Sequence, residues 1–166
     1  MKEITLLRHA KSSWEDTKLR DFDRPLIEKG MEDCKTVKKE ILKEGIQVKR
    51  LYCSAALRTR QTSSLVFPDI KTSFLPELYL CTVETVYNSI LALKNKHESV
   101  ALVFHNFAIT DFVNEISIKS VDNIKTAGLI HIQIDGDWSD IYHKSKLKVR
   151  YFDREKWIDL INDIYD

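Results

Sequence analysis

The sequence predicts an α/β fold, a three-layer sandwich with a mainly parallel central sheet flanked by helices. Three observations carry this. Short apolar runs alternate with longer amphipathic stretches, the pattern of strands and covering helices. Residues 100–104 are a continuous apolar run, as expected of a strand buried on both faces. Three such runs stop abruptly at chemically active residues: Arg8-His9, Cys53-Ser54 and His105-Asn106. In an open α/β sheet, ligands bind beyond the carboxyl ends of the strands.

The elements follow in order. Residues 4–7 read as the first strand, and the polar stretch 11–25 as a long loop. Ile27, Met31, Cys34, Val37, Ile41 and Leu42 recur at helical spacing, and Gly45 stands where that helix should stop. Residues 48–53 form a second strand. A helix begins near Arg58 and ends before Pro68, and a short extended piece at 70–75 is halted by Pro76. Val83, Val86, Tyr87, Ile90 and Leu93 mark another helix. Residues 107–116 follow the central run as a helix. Residues 129–134 and 147–152 read as late strands joined through an Asp135-Gly136 turn. Trp157, Ile158, Leu160, Ile161 and Ile164 predict a closing helix with Asp153 as its N-cap. No repeat or linker divides the chain, so a single domain over residues 1–166 is expected.

Composition narrows the function. The 26 Lys+Arg and 25 Asp+Glu leave a formal net charge of +1, which disfavours nucleic-acid and membrane-surface partners. Any positive field must therefore be local. The first apolar run starts at Ile4, leaving no room for a signal peptide, and no stretch is long enough to span a bilayer. Cys34, Cys53 and Cys81 form no disulfide framework, which points to a reducing, cytoplasmic home. No sequence feature demands a dimer, and a monomer is expected.

If the three strands are parallel neighbours, Arg8, His9, Arg58 and His105 meet at one rim. The helices that follow point their N-termini to the same place, adding backbone N–H groups. Each piece alone is weak: an Arg-His pair usually marks a solvated strand end, and Arg58 alone reads as a surface helix residue. Together, each just past an apolar run, they describe an anion pocket with a histidine nucleophile.

The ordered set resembles the histidine phosphatase superfamily, the phosphoglycerate-mutase-like fold. Leu7-Arg8-His9-Ala10 is similar to its Arg-His-Gly opening, with Ala10 in the glycine place. The match is closer to the SixA-like phosphohistidine phosphatase branch, through residues 7–14 (LRHAKSSW). Asp23-Arg24-Pro25-Leu26 with Gly30, residues 54–62 (SAALRTRQT), and Phe104-His105-Asn106 resemble later motifs of that branch. Phe104 stands where a glycine is usual and Phe107 where a proline is, changes that alter packing or narrow the pocket. Glu15 stands near the place of a mutase asparagine, and a carboxylate pointing inward there would repel phosphate.

The resemblance implies His9 as nucleophile, Arg8 and Arg58 as clamps on the phosphoryl oxygens, and His105 as a donor to the same oxygens. It implies Glu77 as the place of a general acid, with Glu84 as rival and a plain loop glutamate as the alternative. Lys11, Ser12, Arg24 and Asn106 are candidate substrate contacts, although Arg24 serves equally as a salt bridge to Asp21 or Asp23. No cofactor and no metal are implied. His97, His131 and His143 are scattered and read as surface or structural. The expected partner is a phosphorylated protein or a small phosphorylated substrate. Two alternatives stay open, a broad phosphomonoesterase and a non-catalytic phosphate-binding module. Cys53 reads as a buried small hydrophobe, which sets aside a third, a cysteine phosphatase. The last needs Cys-x5-Arg, and Arg58 is one residue too close.

Overall fold

The structure is a computed structural model that describes residues 1–161. Among the described residues, seven strands form one sheet: β1 (Lys2–Arg8), β2 (Arg50–Cys53), β3 (Thr72–Phe74), β4 (Ser99–Phe104), β5 (Leu129–Ile134), β6 (Leu147–Phe152) and β7 (Trp157–Ile161). Four helices accompany them: α1 (Glu28–Lys43), α2 (Leu57–Val66), α3 (Val83–Leu91) and α4 (Ala108–Ile116). The spatial order is β3-β2-β4-β1-β5-β6-β7. β3, β2, β4 and β1 are mutually parallel, whereas β5, β6 and β7 join by antiparallel pairings.

Strand alternation sorts the side chains to two cores. Ile4, Leu6, Val100, Leu102 and Phe104 face α3 and α4, where Phe112 and Ile109 cover them. Leu7, Leu51, Cys53, Ala101 and Val103 face the other way, against Val37 and Ile41 of α1 and Val66 of α2. Phe104 is fully buried in the first core, so its bulk goes into packing and not into the pocket. Phe107 stands 78% exposed.

Register positions the site. β4 lies between β1 and β2, with Arg8 opposite Phe104 and Cys53 opposite Val103. The bonding continues past the strand ends: His9 N donates to Phe104 O at 3.0 Å and Ser54 N to Val103 O at 2.9 Å. Three strand ends from distant parts of the chain thus finish level with one another.

Two late elements differ from expectation. The predicted closing helix is β7 over its described part, and Ile164 lies outside the described residues. Its apolar positions fit a strand as well as a helix, and the open edge of β6 supplies the partners. Asp153 caps no helix: its Oδ1 accepts from the N–H groups of Glu155 and Lys156 and closes the β6–β7 turn, where Arg154 takes φ 81°. β5 and β6 pair as predicted, but Asp135-Gly136 only opens their connection. That connection continues through 3-10 turns at Trp138–Tyr142 and Lys144–Lys146.

Candidate active site

The stretch after β1 is pinned at both ends. Ala10 N donates to Thr62 Oγ1 at 3.0 Å, and Leu26 N donates to Gln61 Oε1 at 2.8 Å, so α2 holds both. Between them the loop crosses itself: Ser13 N donates to Pro25 O, Ile27 N to Lys11 O, and Ser12 bridges Leu26. Gly30 makes this approach possible, because a Cβ there would lie 2.3 Å from Lys11 O. The loop is therefore built, with a 3-10 turn at Asp21–Asp23, and it delivers Asp21 to the rim.

His9 and His105 lie with ring centroids 5.2 Å apart, both buried. His9 Nδ1 is 2.8 Å from Ala10 O. A carbonyl only accepts, so Nδ1 carries the proton and the neutral ring's lone pair is on Nε2. Burial, with the charges of Arg58, Arg8 and Arg24, lowers the His9 pKa to about 4 against the opposing pull of that carbonyl. His9 is thus neutral near pH 7. His105 is lowered to about 3, by burial first and then by His9 and Arg58. Its Nε2 pairs with Ser54 Oγ at 2.7 Å, while its buried Nδ1 has no partner.

Arg58, in the first turn of α2, is 3% exposed. Its fork grips Asp21: Nη1 donates to the Asp21 carbonyl at 2.6 Å and Nη2 to its Oδ2 at 3.0 Å. Nε is buried without a partner, and each terminal nitrogen retains one N–H. Tyr79 closes the triangle by donating its hydroxyl to Asp21 Oδ2 at 2.6 Å, its ring set edge-on to His105. Burial pushes the Asp21 carboxyl up, but the bonds from Tyr79 and Arg58 outweigh it and hold the pKa at about 2. Asp21 is an anion. Neither Asp21 nor Tyr79 stood out in the sequence as a site residue. The aspartate preceding the Asp23-Arg24-Pro25 motif was the one available signal.

Arg8 points to the other side. Its Nη1 donates to Ile124 O at 2.6 Å and to Asn123 Oδ1 at 3.4 Å, and its Nε is buried and unpartnered. Asn106 Nδ2 also donates to Asn123 Oδ1, tying the ends of β1 and β4 together. Arg24 takes the structural alternative: its Nε donates to Asp21 Oδ1 at 3.1 Å, and its guanidinium stacks 3.4 Å from the Trp14 ring centre. Lys11 and Ser12 line a cavity with Arg8 and His9. Glu77 is exposed and lines a different cavity, with Tyr52, Leu75 and Asn88, whose wall includes none of His9, Arg58 and His105. Glu15 is exposed. Cys53 is fully buried, and desolvation pushes its thiol up to about 12, so it is no thiolate nucleophile near pH 7. Among the described residues, no three His, Cys, Asp or Glu side chains group as they would around a metal ion. No helix among them is long and apolar enough to cross a membrane.

Comparison with known proteins finds similar sequences and similar folds. The profile of the histidine phosphatase superfamily (branch 1) matches residues 4–78, which hold His9, Arg8 and Arg58. An uncharacterized chloroplastic protein of Arabidopsis thaliana is 28% identical over 155 residues, 85% of this chain and 71% of its own length. An uncharacterized Mycobacterium tuberculosis protein is 25% identical over 147 residues, 81% of this chain and 91% of its own. Among solved structures, a candidate phosphohistidine phosphatase SixA from Agrobacterium tumefaciens superposes with TM-score 0.72 and 28% identity, covering 80% of this chain and 92% of that one. The protein histidine phosphatase SixA complexed with tungstate shares the fold, with TM-score 0.71 at 22% identity over 80% of this chain and 88% of that one.

Proposed function

The chain belongs to the histidine phosphatase superfamily, on its SixA-like side, and from that premise we propose that it hydrolyses phosphohistidine on proteins through a phosphorylated His9. The observation that carries this reading is the state of His9. Its Nδ1 proton is committed to Ala10 O, which leaves Nε2 as a free nucleophile at neutral pH.

The chemistry follows from the donors around it. Nε2 attacks phosphorus as the bond from phosphorus to the substrate's leaving nitrogen breaks. Positive charge grows on His9 as the new bond forms, and the Ala10 carbonyl at Nδ1 stabilises it. Arg8 and the spare N–H groups of Arg58 hold the phosphoryl oxygens. His105 is neutral and has one proton to offer. A proton on Nδ1 leaves Nε2 to accept from the Ser54 hydroxyl, and Nδ1 itself is buried without a protein partner. Water then displaces His9 and leaves as inorganic phosphate.

The substrate preference rests on the leaving group. An alkoxide needs a proton from an acid. The carboxyl at this rim, Asp21, is ionised, and Glu77 borders another cavity. A phosphohistidine protonated on its far nitrogen departs as neutral imidazole and needs no such acid. Phosphate release from a phosphohistidine protein and from a phosphomonoester panel, each beside His9→Ala, tests the reading. A strong preference for phosphohistidine, abolished by the substitution, is the expected result. Equal turnover of simple esters would favour the broad phosphomonoesterase, and undiminished turnover after His9→Ala would end both.

A further inference from the structure

The cavity that Arg8 and His9 line extends outward for about 530 Å³, past Lys11, Trp14, Arg24, Lys29 and Arg154. Five of its lining residues are cationic and none is a carboxylate. Lys29 and Arg154 have no part in the phosphoryl chemistry proposed above. We infer that the groove is a second anion subsite, taking a carboxylate or phosphate that the substrate carries beside the phosphoryl group. The inference deepens the hydrolase reading above and rests on it for the position of the first anion.

The cations divide into anchors and free donors. Arg24 is an anchor, with Asp21 on its edge and Trp14 on its face. Lys29, from the first turn of α1, and Arg154, from the β6–β7 turn, converge on one acid. Lys29 Nζ meets Asp33 Oδ1 at 2.6 Å, and Arg154 Nη1 meets Asp33 Oδ2 at 2.8 Å. Tying the turn to the helix needs only one cation, so the pair leaves a net positive charge. Asp33 engages one N–H of each, out of three on the ammonium and five on the guanidinium. The Arg154 Nε is buried with no partner, although its side chain as a whole is 25% exposed to the groove. Lys11 is exposed and has no carboxylate partner among the described residues.

The opposite flank is the reverse. The cavity beside Asn106 is lined by Leu80, Val83 and Phe107 with Glu84 and Asp111, and by no cation. An anionic group is therefore favoured in the groove over this second cavity. With net charge near zero overall, such local polarity can orient a charged substrate at the site.

Two substrate pairs test the groove and tell its sources apart. One pair is phosphohistidine peptides flanked by glutamates or by glutamines. The other is phosphomonoesters with and without a second phosphate. At low salt, the anionic member of at least one pair should be favoured about tenfold in kcat/KM, and the preference should shrink as salt rises. Preference within the peptide pair alone assigns an acidic polypeptide, and preference within the ester pair alone assigns a small bisphosphate. The variant K29M/D33N/R154M removes both cations together with the buried acid they neutralise. It should bring the ratio to within about twofold of unity while leaving the uncharged member's turnover intact. If its melting temperature falls sharply, K29M alone should still lower the ratio. Equal use of both members by the wild type, or a preference that survives these substitutions, overturns the proposal. Calorimetric titration with the unphosphorylated glutamate peptide needs no turnover. A chain that releases no phosphate but binds this peptide through Lys29 and Arg154 would fail the hydrolase reading and keep the groove. Absence of binding, together with equal use of both members of each substrate pair, would remove the groove alone.

Discussion

The two halves of the sheet do different work. β3, β2, β4 and β1 run parallel, so their carboxyl ends share one edge, and Arg8, His9, Ser54 and His105 stand there in register. β5, β6 and β7 alternate in direction, so only every other connection reaches that edge. Two do: the segment before β5, where Ile124 receives Arg8 and Ala127 N donates to His9 O, and the β6–β7 turn, which brings Arg154. A parallel sheet gathers chemistry from several crossovers. The antiparallel extension holds that edge in place and adds charge to its flank.

Substitutions can break this division, and the largest contrast pairs Arg58→Ala with Leu160→Ala. Arg58→Ala should lower kcat/KM by about 10²-fold or more with a modest change in stability. Leu160 is buried in the antiparallel half, and its truncation should cost about 2–5 kcal/mol of stability while leaving kcat of the folded fraction intact. Steady-state kinetics beside urea unfolding decides. If Leu160→Ala abolished kcat at full occupancy of the fold, the division would be wrong.

Gly30→Ala probes the boundary between fold and site. The added methyl must displace the Lys11 carbonyl or α1, so KM and kcat should worsen together with a stability loss of about 1–3 kcal/mol. An unchanged KM would show that the loop after His9 moves freely.

The pH dependence of stability is smaller and is shared between the halves. Burial leads the downward shifts of His9, His105 and His131, to about 4, 3 and 4 against an ordinary 6.5. Between those values the unfolded chain binds more protons than the folded one. Stability should therefore be fully present above about pH 6.5 and fall as pH drops toward 4. Urea midpoints at pH 7 and pH 4.5 measure the loss, and His131→Gln should reduce it without touching the site. A midpoint that rises on acidification would contradict these shifts. The smallest effect is expected from Cys53→Ser, whose activity should stay within about twofold of wild type, because the thiol is buried and protonated near pH 7.

Local pattern explains what was legible. The runs at β1, β2 and β4 and the helical spacing of α1 and α3 are set within a few residues, and each strand stops where its polar cluster begins. Trp157 to Ile161 was misread because five residues with apolar positions at 157, 158, 160 and 161 fit a helix face as well as a strand. Only the unpaired edge of β6 chose between them.

From sequence alone came the α/β architecture, the three strand ends and the residues standing on them, since periodicity and chain order are local properties. Tertiary structure alone decided which charges distant along the chain meet. Asp21 reaches Arg58 across 37 positions and Asp33 reaches Arg154 across 121. For such distant pairs the partner is whichever cation folding brings within about 3 Å, whereas Arg24–Asp21 and Lys29–Asp33 lie only three and four positions apart and are set locally.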